Sequence, residues 1–141
     1  MATYNKESVL REITPLSEKD FFYIADRSKS EFTYPIHSHA DYELNFTENS
    51  KGVRRIVGDS VEEIGEYDLV LVGSGGLEHV WEQGRCESQD IREITIQFSP
   101  SLLDGEMLSK NQFASIRRML DNAQYGIAFP METIMKVYRI L

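Results

Sequence analysis

The chain has 141 residues, 41% of them hydrophobic, and a single cysteine, Cys86. That length supports one core with an appendage; the lone thiol excludes an intrachain disulfide; and no apolar run approaches the roughly 20 residues of a membrane span. A net charge of −8 leaves no basic stripe to track phosphates, so these residues are not expected to bind nucleic acid by themselves.

Residues 1–18 mix charge, serine and Pro15 with few apolar positions in register, and read as an N-terminal arm or a loosely attached first strand. From Phe21 the pattern is strand-like, with strands predicted at 21–25, 31–35 and 42–47 and turn-rich segments at 26–30 and 48–52. Further strands follow at 53–57, 61–64, 68–72, 77–82 and 91–98, punctuated by Gly58, Gly65 and the run Gly73-Ser74-Gly75-Gly76. So many short strands predict a mostly β domain over residues 19–100, an antiparallel barrel or a two-sheet jelly roll. Beyond Pro100 the period becomes helical. Phe113, Ile116, Met119, Leu120 and Ala123 share one helical face, and Gly126 stands as its C-cap. Pro130 then opens a second helix through Met131, Ile134, Met135, Tyr138 and Leu141. The plain expectation for these stripes is packing against the β domain.

All three histidines fall in two segments, His37-Ser38-His39-Ala40-Asp41-Tyr42-Glu43 and Gly75-Gly76-Leu77-Glu78-His79-Val80-Trp81. His37 and His39 share a strand face by the two-residue period, and Glu43 and His79 complete a mixed nitrogen and oxygen ligand set. Along a straight strand His39 and Glu43 would stand roughly 13 Å apart, too far to share an ion, so a bend is required at Ala40-Asp41-Tyr42. Imidazole with carboxylate suits Zn, Fe, Ni or Mn without choosing among them. The competing expectation is a metal-free interior in which the same groups are hydrogen-bonded.

A second candidate ligand is organic, with Tyr34, His37, His39, Glu43, Asn45, His79 and Trp81 lining its pocket. Glu43, Asn45 and Thr47 share one strand face, and Trp81 shares the parity of His79, which suits a sugar or a small aromatic acid. Arg54 and Arg55 either clamp a carboxylate or phosphate or are one solvated arginine and one surface ion pair. Glu62-Glu63 and Glu66-Tyr67-Asp68 read as a solvated rim. The chain has no Gly-x-Ser-x-Gly elbow and no phosphate loop.

The two histidine segments resemble the paired motifs of the cupin superfamily, His-x-His-x3-Glu followed some forty residues later by a Gly-x-x-His-like element. Over residues 19–141, the succession Tyr34-Pro35-Ile36-His37-Ser38-His39-Ala40-Asp41-Tyr42-Glu43-Leu44, then Gly65-Glu66-Tyr67-Asp68-Leu69-Val70-Leu71-Val72, then Glu78-His79-Val80-Trp81 is similar to the N-terminal sensing domain of AraC-family transcription regulators. Glu31 stands where catalytic cupins carry glycine, the Gly73 to Gly76 run replaces a proline-containing turn, and Gln83 stands where asparagine is usual. These departures favour a sensor over an enzyme. The resemblance implies a cupin-type double-stranded β-barrel (jelly roll) followed by a C-terminal helical hairpin in residues 101–141. It also implies a small-molecule effector, a sugar or another metabolite, and a cytoplasmic homodimer whose contact uses Phe113, Ile116, Met119 and Leu120. The DNA-binding helix-turn-helix domain of such a regulator is expected beyond Leu141. The alternative implied is a small metal-dependent cupin enzyme, of dioxygenase or isomerase type, with His37, His39, Glu43 and His79 as ligands.

Overall fold

The computed structural model describes residues 9–141. Its strands are β1 Leu10–Arg11, β2 Phe22–Lys29, β3 His37–Ser38, β4 Tyr42–Glu48, β5 Arg54–Val57, β6 Ser60–Glu63, β7 Tyr67–Val72, β8 His79–Glu82, β9 Ile91–Phe98 and β10 Ile127–Ala128. Three short helices complete it, α1 Glu106–Ser109, α2 Ala114–Asn122 and α3 Met131–Val137. The hydrogen bonds divide the strands between two five-stranded sheets, in the orders β1-β3-β8-β5-β6 and β10-β7-β4-β9-β2. Only β1 on β3 is parallel; the other pairings are antiparallel.

Alternation along the strands sorts the interior from the outer layer. On β4, Leu44 and Phe46 point away from the first sheet. With Leu69 and Ile94 they form a face covered by Ile134 of α3, while Leu71 packs beneath Leu120 of α2 and Ala123. The helices therefore lie on the outer face of the second sheet, and each large side chain buried there contributes about 1.5–3 kcal/mol. Between the sheets, Val53, Val57 and Trp81 meet Val70 and Ile91 in a second apolar cluster. The opposite parity of β4 places Glu43, Asn45 and Thr47 in this interior, all buried.

Two glycines fix the join between helices and sheet. Gly73, at the end of β7, donates its N–H to Ala123 O at 2.9 Å, and a Cβ there would fall 2.5 Å from that oxygen. Gly126 ends the turn after α2 with φ 79°, as its expected capping role requires, and a Cβ would meet Val57 Cγ1 at 2.7 Å.

Three expectations need correction. Residues 31–35 form no strand, because Phe32, Thr33 and Tyr34 are used to line an internal cavity. Residues 26–29, read as a turn from their polarity, continue β2, an edge strand with one solvated face. The helical segment 101–141 also contributes a strand, β10, which extends the second sheet beside β7. Of the expected arm, residues 1–8 lie outside the described residues, and residues 10–11 form edge strand β1. Among the described residues no helix is long and apolar enough to cross a membrane.

Candidate metal centre

The two sheets bring the histidine segments together. His37 on β3 and His79 on β8 are cross-strand partners, with ring centroids 4.2 Å apart. After Ser38 the chain leaves the first sheet, bends at Ala40 and Asp41, and enters the second as β4. The bend that the spacing demanded is present, and it brings His39 Nε2 to 3.2 Å from Glu43 Oε1. One ligand atom from each of His37, His39, Glu43 and His79 lies within 4.8 Å of the others, and all four residues are buried.

Each imidazole is oriented by its own stretch of backbone. His37 Nδ1 donates to Pro35 O at 2.9 Å, His39 Nδ1 to Asp41 O at 2.9 Å, and His79 Nδ1 to Leu77 O at 2.7 Å. A carbonyl only accepts, so each Nδ1 carries a hydrogen, and in the neutral ring the lone pair resides on Nε2. This is the arrangement by which outer hydrogen bonds prepare imidazoles for a metal. His79 Nε2 is fully buried and has no hydrogen-bond partner among the described residues; an orphaned buried acceptor costs about 1–3 kcal/mol. A cation held by the three Nε2 atoms and Glu43 would satisfy it, so the donor set fits a divalent metal.

The electrostatics agree. Burial holds the His79 imidazole down at about 4, outweighing the pull of Glu43. Burial also opposes charge on His39, but the hydrogen bond and negative charge of Glu43 prevail and raise it above its ordinary value. Glu43 in turn sits below the usual carboxylate range: burial pushes it up, and the hydrogen bond from His39 with the three imidazole fields pushes it further down. Without a metal the centre thus favours a proton on His39 facing the Glu43 carboxylate, and disfavours one on His79.

Two participants escaped the sequence reading. Gln97 on β9 donates Nε2 to Glu43 Oε1 at 3.1 Å and so orients the carboxylate. Its signal was readable in the alternation Glu93, Thr95, Gln97, a polar row matching Glu43, Asn45, Thr47 on the neighbouring strand. Glu12, two residues after the start of β1, places Oε2 3.8 Å from His37 Nε2 and 4.0 Å from His39 Nε2. Nothing local marks it, because a parallel edge pairing puts it there: Leu10 N–H donates to Ile36 O at 3.0 Å and Glu12 N–H to Ser38 O at 2.8 Å.

A cavity of about 270 Å³ opens beside the centre. Of the expected ligand-binding residues, Tyr34, His37, Glu43, Asn45 and Trp81 line it, while His39 and His79 belong to the cluster without lining the cavity. The Tyr34 ring meets His37 edge-on at 4.7 Å. Arg54 and Arg55 clamp no ligand: Arg54 pairs with Glu82 and Arg55 with Asp68. Asp68 is accordingly no solvated rim residue. Its carboxyl is raised by burial, against the opposing pull of Arg55. Of the expected contact residues, Leu120 of α2 is buried and Met119 packs in the same cluster, whereas Ile116 is exposed and Phe113, just before the helix, is half-buried.

Compared with known proteins, the chain matches no family model and no curated sequence.

Proposed function

We propose that this chain is the effector-binding and dimerisation part of an AraC-type transcription regulator, with a cupin-type interior that holds a divalent metal through His37, His39, Glu43 and His79. One observation carries the reading: three buried imidazoles, each with Nδ1 committed to a carbonyl, gather with the Glu43 carboxylate so that one ligand atom of each lies within 4.8 Å of the others, beside a ligand-sized cavity. A bound ion would supply a fixed positive charge and an open coordination position for an oxygen of the effector. The chain's own residues do the rest. Gln97 orients Glu43, and Tyr34 and Trp81 shape the wall. The helices stand on the far face of the second sheet, where exposed Ile116 is available to a second copy. An effector regulates by binding one arrangement of the dimer better than another, and the DNA contact belongs to a further domain.

The open cavity reaching His37 and Glu43 also favours a second reading, a metal-dependent cupin enzyme. Metal content tests what the two readings share. The purified chain, offered several divalent metals and freed of unbound ions, is expected to retain one equivalent and to unfold at a higher temperature than the metal-free chain. At a free metal concentration 100 times Kd, the added stability is about 2.7 kcal/mol. His39→Ala should lose both the metal and the gain. A folded chain that retains no metal rejects the metal centre, and effector-independent turnover of a substrate would favour the enzyme.

A further inference from the structure

Arg27 lines the cavity from β2 and, among the described residues, makes no hydrogen bond or ion pair. The neighbouring lining cation is engaged: Lys29 Nζ lies 2.7 Å from Glu93 Oε1. Strand register orders the second sheet's wall in three rows: Tyr23, Gln97 and Glu43 at the metal end; Ala25, Thr95 and Asn45 in the middle; Arg27, Glu93 and Thr47 at the far end. The outer rows are four residues apart, roughly 13 Å along the strand, and the reach of the arginine side chain shortens that gap to the length of a small molecule. Ala25 keeps the middle row low.

Two of the cavity-lining residues, one on each sheet, carry a buried polar atom that lacks a partner among the described residues: Asn45 Oδ1 on β4 and Trp81 Nε1 on β8. The first accepts a hydrogen bond and the second donates one, a pairing that a hydroxyl answers by doing both. Charge adds a second constraint. Three carboxylates, Glu12, Glu43 and Glu93, face two cations, Arg27 and Lys29, around the cavity. Counted over these five side chains the lining is one negative charge in excess, and a divalent ion converts this to one positive. At about 270 Å³ the space falls at the small end of ligand pockets.

We infer that the cavity takes a small hydroxycarboxylate, with its carboxylate on the Arg27 guanidinium and a hydroxyl between Asn45 Oδ1 and Trp81 Nε1. The inference rests on the metal-centred reading above, since only the ion turns the charge balance toward an anion.

Trp81 is the only tryptophan of the chain, so its fluorescence reports directly on the wall, with calorimetry as the second readout. The metal-loaded chain, cleared of free ions and assayed for metal, is titrated with gluconate and with glucitol, its uncharged counterpart. Gluconate is expected to bind at least about tenfold more tightly, and Arg27→Gln to weaken it about 10- to 100-fold, the range of a hydrogen-bonded charge. Metal content and glucitol binding should be unchanged in that variant. Arg27 is exposed at the cavity mouth, so the substitution leaves the fold intact. Equal affinity for the two probes, no effect of Arg27→Gln, or no gluconate binding by a fully metal-loaded chain overturns the carboxylate assignment and leaves the metal centre standing. A chain without metal, seen in the metal assay alone, overturns the reading beneath it and the assignment together.

Discussion

His39 and His79 share a pocket and differ in their hold on a proton. Glu43 overrides the burial of His39 and raises it, so the ring holds its second proton more firmly than a free imidazole, whereas burial pushes His79 down to about 4. A metal entering the centre must therefore displace the Nε2 proton of His39. Calorimetry in two buffers of different ionisation enthalpy should show net proton release as the metal binds, and no release would remove His39 from the ligand set. The sign follows: acidification favours the proton and weakens metal binding. Arg55 and Asp68 test a different use of charge. Their side chains are only 7% and 13% exposed, so Asp68→Ala strands a buried guanidinium and should cost about 3–5 kcal/mol in urea unfolding. Arg54→Ala, whose side chain is 41% exposed, should cost no more than about 1 kcal/mol.

Among the elements, β4, β7 and β9 were legible because each joins an alternating or apolar run to a clear turn. The failures have physical causes. Residues 31–35 carry strand-forming side chains but spend them on a cavity wall, and the outer half of β2 is polar because one face of an edge strand meets water. Two-residue strands such as β1 and β10 hold too little sequence to show a period. Part of the centre was legible because His37 and His39 are spaced for one strand face and His79 is the only other histidine, whereas Glu12 is one carboxylate among many and arrives by a parallel edge pairing that no local pattern marks. The join of α2 to β7 offers a test. Gly73→Ala sets a methyl against the Ala123 backbone and should lower stability by about 1–3 kcal/mol. Gly75→Ala, with nothing within 4 Å of the new atom, should leave the melting temperature within a degree or two.

For the molecule as a whole, the helical layer splits one stripe of the sequence into a buried part and an exposed part. Leu120 belongs to the chain's own core, so a polar residue there unfolds the protein and says nothing about assembly. Ile116, 36% exposed, is the position that discriminates. If the chain is the dimer proposed above, Ile116→Glu should leave the melting temperature near its original value while halving the mass seen by light scattering; an unchanged mass would reject the proposed contact at Ile116.

The Nδ1 hydrogen bonds that orient the three imidazoles all end on main-chain carbonyls, those of Pro35, Asp41 and Leu77. Every amino acid carries that group, so no side-chain replacement at these three positions deletes the acceptor. The chain can drift there across generations and keep its tautomers, provided the loops retain their length and course. Insertions or deletions between each histidine and its carbonyl are the changes such a lineage would purge.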